Sequence, residues 1–256
     1  MAWTELNLFS ESLGTQQQVS VILPQESMSG VIGANQQTQI KNRKTLYLLH
    51  GLSDNHTTWM RMTSIERYAQ ENGLCVVMPF ADKSFYCDMK YGGKYYTYIA
   101  KELPKLIESF FNVSDKREDR FLAGNSMGGY GALKIALRES DSFSAVAALS
   151  AVSDIVGGKE MFCDEFRSVF GDEMEIPESE DLFALAKQVD KNQKKPRVLM
   201  RVGTEDFLYD SNVKLRDFFK TLSFDYTYQE TPGKHDWCFW EESIPYIMHW
   251  LLNAER

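Results

Sequence analysis

Glycine, serine and glycine at alternate positions, Gly124-Asn125-Ser126-Met127-Gly128, stand between a short apolar run at 121–123 and a helix-like stretch at 127–137. Few backbones accept that sequence. The chain must leave a strand, turn sharply and enter a helix, with the serine strained at the apex. Glycine on either side removes Cβ atoms that would meet across the turn. Gly129 and Gly131 extend the pattern and let the helix pack closely on a sheet. A turn of this kind needs parallel strands beside it, and the chain supplies candidates. Residues 45–49, 74–78, 143–149 and 197–202 are short, continuous apolar runs, which suit strands covered on both faces. Residues 18–23 and 225–229 also read as strands. Helical spacing appears at 96–110, at 127–137 and from about Trp237 onward, where Pro245 should kink or restart the helix. The alternation predicts an α/β fold with a mostly parallel central sheet and helices on both faces.

The 256 residues then read as one domain, 1–256. A polar stretch at 25–44 is a loop or hairpin connection. Residues 153–196 exceed what one crossover helix requires and predict a helical, cap-like insertion. Between 160 and 181 it carries nine acidic residues and one basic, Arg167; this reads as a solvated helical face or, as a cap over a pocket, as a charge that would disfavour anionic substrates. The net charge of −8 gives no global basic footprint, so no nucleic-acid partner is expected. No apolar run reaches the roughly 18–20 residues that span a bilayer, so no membrane partner is expected either. Cys75, Cys87, Cys163 and Cys238 form no CxxC pair, which argues against a zinc or thioredoxin-like site. Free thiols and no secretory leader point to a cytoplasmic protein.

A serine hydroxyl is a weak nucleophile unless a base takes its proton. There are four histidines. His50 ends a strand, His56 lies in a polar loop, and His249 sits in the last helix beside Trp250 and reads as structural. His235 lies in the turn-rich Thr231-Pro232-Gly233-Lys234-His235-Asp236-Trp237 after a strand, and is the candidate base. A base needs a carboxylate to orient its ring. Asp206, at the C-terminal end of the 197–202 strand, is the candidate, with Glu205 and Asp210 as rivals. Asp236 is too close in sequence to reach the ring of His235. The order Ser126, Asp206, His235 is that of the α/β-hydrolases. Acyl transfer also needs N–H donors for an oxyanion. Met127 follows the nucleophile at a helix N-terminus and is one. Leu52, after the close-approach residue Gly51 in His50-Gly51-Leu52, is the other. Trp59 and Trp237 lie near these motifs and are expected, with Gly51, to contact substrate. The chemistry calls for no metal or organic cofactor.

These residues resemble the esterase D family of α/β-hydrolases, and within it the tributyrin-esterase-like carboxylesterases. The matching pieces are Leu48-Leu49-His50-Gly51-Leu52 with Trp59 downstream, and Gly124 to Leu133. Gly203-Thr204-Glu205-Asp206-Phe207-Leu208, Gly233-Lys234-His235-Asp236-Trp237 and Glu102-Leu103-Pro104 also match. The resemblance runs from about Phe9 to Leu252. It implies a cytoplasmic serine esterase for small, short-chain acyl esters. The family's S-formylglutathione hydrolases, which cleave a thioester by the same chemistry, are the alternative. A non-catalytic binding module of the same fold is a third reading, which the complete triad disfavours. A homo-oligomer is compatible with all of these.

Overall fold

A computed structural model of the chain describes residues 1–25 and 42–253. An eight-stranded sheet has the order β1-β2-β4-β3-β5-β6-β7-β8. The strands are β1 (Ala2–Ser10), β2 (Thr15–Leu23), β3 (Thr45–Leu49), β4 (Cys75–Pro79), β5 (Arg120–Asn125), β6 (Ala145–Leu149), β7 (Arg197–Gly203) and β8 (Tyr226–Thr231). β1 and β2 pair antiparallel, as do β2 and β4. Every other pair is parallel. This is the expected α/β-hydrolase sheet.

Every residue of β3, β4 and β6 is buried, because helices cover both faces. Side chains alternate between the two cores. Leu46 and Leu48 join Trp59, Ile65, Trp240 and Ile247 on one side. Tyr47 and Leu49 join Ile107, Leu133, Phe166 and Leu215 on the other. The first face is covered by α1 (Thr58–Met62) and α2 (Ile65–Asn72), together with the last helix, α9 (Trp237–Leu252). The second is covered by α3 (Tyr95–Thr97), α4 (Leu103–Phe110), α5 (Met127–Arg138), α6 (Cys163–Phe170), α7 (Leu182–Val189) and α8 (Tyr209–Phe219).

Three features go beyond or against the sequence reading. β1 was not expected; among the described residues it forms a sheet edge that pairs only with β2 and exposes Trp3 and Phe9. The predicted helix at 96–110 is broken by a π turn, Tyr98–Glu102, before α4. Pro104 has no N–H to return to Ala100, and the Leu103 N–H instead reaches back to Tyr98 O. The wider turn brings Glu102 to the β1–β2 connection, where its carboxylate accepts from Ser10 Oγ (2.8 Å), Glu11 N (2.7 Å) and Ser12 N (3.1 Å). α9 runs through Pro245 as one helix, so the expected restart does not occur. Most of the 25–44 connection, residues 26–41, lies outside the described residues.

The stretch 153–196 holds α6, a 3-10 turn at Glu178–Glu180 and α7. All four cysteines are free, Cys75 and Cys87 buried among them. Among the described residues no helix is long and apolar enough to cross a membrane.

Candidate active site

Ser126 sits between β5 and α5 with φ 54° and ψ −120°, a conformation that non-glycine residues rarely adopt. Its N–H donates to Leu149 O (2.9 Å), and its carbonyl accepts from Val152 N (3.2 Å) and Tyr130 N (3.1 Å). Two glycines make the turn sterically feasible. A Cβ on Gly128 would collide with the carbonyls of Leu49 and His50, and one on Gly124 would meet the Gly128 backbone.

Three loops at the C-terminal ends of the strands converge here. His235 Nε2 lies 3.0 Å from Ser126 Oγ. Its Nδ1 lies 2.9 Å from Asp206 Oδ2 and 3.0 Å from Oδ1. The Asp206 side chain has no exposed surface, and that of His235 is 15% exposed. Asp206 Oδ1 also accepts from Leu208 N (2.8 Å), which fixes the carboxylate. The loops bearing the two residues are tied by Thr204 N to Thr231 O and Glu205 N to Gly233 O, both 2.9 Å. The rivals are elsewhere: Glu205 and Asp210 are exposed, and Asp236 caps α9 by accepting from Phe239 N (3.0 Å). A buried carboxylate, a ring held on one nitrogen and a hydroxyl on the other form a relay able to deprotonate Ser126.

The turn after β3 lies against the nucleophile. A Cβ on Gly51 would stand 3.7 Å from Ser126 Cβ and 3.3 Å from Asn125 Nδ2. Gly51 N donates to Asp54 Oδ2 (3.3 Å). Among the described residues, the Leu52 and Met127 backbone N–H groups have no acceptor. Two unengaged donors, one following the serine at a helix N-terminus and one following Gly51, suit a developing anion.

Aromatic rings surround His235. Phe207 lies over it at 4.5 Å between centroids, and Trp240 meets it edge-on at 5.0 Å. Phe207 is 60% exposed, an unusual state for phenylalanine, and forms an apolar rim beside the base. The half-buried Trp237 packs edge-on against Trp240 (5.0 Å) and Trp59 (4.9 Å). The expectation that Trp59 contacts substrate needs correction. It is 1% exposed, its indole N–H donates to Leu49 O (3.1 Å), and no face of it is open. It supports the strand end from beneath. The sequence reading passed over Phe207 and Trp240, whose positions beside His235 follow from loops meeting in space.

The Esterase family model matches residues 10–251. The chain belongs to the Esterase family. This esterase is 30% identical to an acetyl esterase of Caldicellulosiruptor saccharolyticus over 99% of both chains. Its fold superposes on the fluorophosphonate-binding serine hydrolase F (FphF) of Staphylococcus aureus with a TM-score of 0.87, at 37% identity over 99% of both. It also superposes on an S-formylglutathione hydrolase (FrmB) from Staphylococcus aureus with a TM-score of 0.85, at 36% identity over 98% of this chain and 99% of that one. The esterase is a serine carboxylic ester hydrolase of the esterase D type.

Proposed function

We infer that this esterase cleaves short-chain acyl esters, acetyl to butyryl, through an acyl-enzyme on Ser126. The observation that carries the reading is the unbroken relay from buried Asp206 through His235 to Ser126 Oγ. Ser126 Oγ attacks the ester carbonyl while His235 Nε2 takes its proton. Asp206 keeps the other ring proton on Nδ1 and stabilises the imidazolium. The Leu52 and Met127 N–H groups meet the oxyanion. Collapse of the tetrahedral adduct expels the alcohol, which leaves with the proton from His235. Water then attacks the acyl group, gives a proton to His235, and the carboxylic acid departs as Ser126 regains its hydrogen.

The size limit rests on the rings. Gly51 brings backbone close to the reacting carbon, Phe207 and Trp240 flank the base, and Trp237 packs behind them. A crowded apolar site gains about 0.8 kcal/mol per methylene buried until the acyl chain meets a wall. Across p-nitrophenyl esters from acetate to decanoate, kcat/KM is expected to peak between acetyl and butyryl and to fall steeply by octanoyl. A maximum at octanoyl or longer would show an open, lipase-like groove.

Likeness to the S-formylglutathione hydrolase favours a second reading, hydrolysis of that thioester by the same residues. If the acidic insertion caps the site, its charge weighs against that substrate, because glutathione carries two carboxylates. S-formylglutathione belongs in the same substrate series. The reading places the enzyme in the reducing cytoplasm, supported by four free cysteines.

A further inference from the structure

In the proposed reaction the Leu52 N–H must face the oxyanion, yet Leu52 lies in a turn with no helix or strand to aim it. Peptide planarity identifies what aims it. Gly51 C=O and Leu52 N–H belong to one trans unit and point in opposite directions, so whatever holds the carbonyl directs the amide. Gly51 O accepts from Asp54 N (3.2 Å) and lies 2.7 Å from His50 Nδ1.

The tautomer of His50 follows from its other nitrogen. Nε2 accepts from the Ala81 N–H at 2.9 Å, so the ring proton is on Nδ1 and is donated to Gly51 O. Burial holds the His50 pKa down to about 4, which agrees with a neutral ring at neutral pH. The His50 carbonyl accepts from Tyr86 Oη (2.9 Å), and the ring stacks on Phe80 at 5.8 Å. Ala81 and Tyr86 belong to the segment after β4, where Asp82, Phe85 and Tyr86 have φ of 48°, 49° and 53°. Three non-glycine residues with positive φ so close together persist only where packing over-determines them, and such strain gathers at functional sites.

We propose that His50 is a positioning residue: anchored by Ala81 and Tyr86, its imidazole locks the Gly51–Leu52 peptide so that the Leu52 N–H faces the carbonyl attacked by Ser126. The proposal rests on Leu52 as an oxyanion donor in the function inferred above.

Two substitutions separate the bonds of the ring. His50→Asn places an amide nitrogen near the Nδ1 position and keeps the lock. His50→Gln places an amide oxygen near the Nε2 position, keeps the Ala81 bond and loses the lock. His50→Gln is expected to lower kcat by about 10- to 100-fold, less than the 10²–10³ for deleting a donor outright. A trifluoromethyl ketone, which forms a tetrahedral adduct on the serine, should bind more weakly by a similar factor. Ester Kd, measured with Ser126→Ala also present, should stay unchanged, and His50→Asn should remain within about threefold of the parent in all three. Should His50→Gln fail to fold, Tyr86→Phe is read instead. It should weaken the ketone severalfold at unchanged ester Kd. Equal losses in His50→Asn and His50→Gln, or an unchanged ratio of ketone to ester affinity in the variant read, would make the role of His50 merely structural. Failure of the ketone to form an adduct on Ser126 of the unaltered enzyme would overturn the parent reading itself.

Discussion

Ser126→Ala is expected to lower kcat on short-chain esters by about 10⁴- to 10⁶-fold while leaving the fold intact. The magnitude follows from the division of labour. Without the hydroxyl no acyl-enzyme forms, and His235 and Asp206 have nothing to activate. The donors and the binding site remain, so the residue of activity should still exceed that in water. The fold should survive because the change removes one oxygen at a turn fixed by its backbone. Ser126 N and O are both bonded, and Gly124 and Gly128 are untouched. Circular dichroism with a thermal melt checks the fold, and initial rates check the loss. Activity within a factor of about ten of the parent would show that another group attacks the ester.

Much of this site was legible in the sequence because its constraints are local. A strand–serine–helix turn demands glycines at fixed offsets, and Gly124 and Gly128 meet backbone where any Cβ would collide. Asp206 and His235 each follow a strand, and strand ends of a parallel sheet share one edge, so their meeting could be anticipated. The central strands were legible as continuous apolar runs buried on both faces. β1 was not, since an edge strand exposing Trp3 and Phe9 lacks a clean inside-outside pattern. The π turn was not, since apolar spacing at 96–110 is the same whether Leu103 N–H reaches back four residues or five. Trp59 was misassigned: nearness in sequence to His50-Gly51 does not say how deeply a ring is buried, and this one is 1% exposed. The role of His50 depends on Ala81, 31 residues away, and no local pattern links them.

The largest stability effect is expected where the insertion meets the nucleophile helix. Lys134 of α5 is completely buried, and its Nζ donates to Glu180 Oε2 (2.6 Å), Cys87 Sγ (2.9 Å) and Phe85 O (3.1 Å). Glu180 Oε1 accepts from Arg138 (2.8 Å), and Tyr130 Oη donates to the Glu180 carbonyl (2.7 Å). Burial alone pushes the Glu180 carboxyl up. The charge of Lys134 and the hydrogen bonds outweigh burial and hold it below its ordinary value. A carboxyl held down in the folded state stabilises at neutral pH, and that share is lost as acid protonates it. The two partners are not equivalent. Lys134→Met leaves Glu180 with Arg138, whereas Glu180→Ala leaves a buried ammonium with no carboxylate. Glu180→Ala should therefore cost about 3–5 kcal/mol and lower Tm by roughly 10 °C, and Lys134→Met clearly less. Paired thermal melts at neutral pH check the order. Equal or reversed losses would mean that the ion pair is not what fastens residues 178–180 to α5.

The central claim is that ester hydrolysis passes through an acyl group on Ser126. The most direct measurement is intact-protein and peptide mass spectrometry after acid quench of a reaction with p-nitrophenyl acetate. One acetyl group is predicted on the peptide containing Ser126, formed at the rate of the nitrophenol burst and lost at the rate of turnover. It should be absent in Ser126→Ala. Turnover with no acetylated protein at any quench time, or acetyl on a residue other than Ser126, would contradict the account.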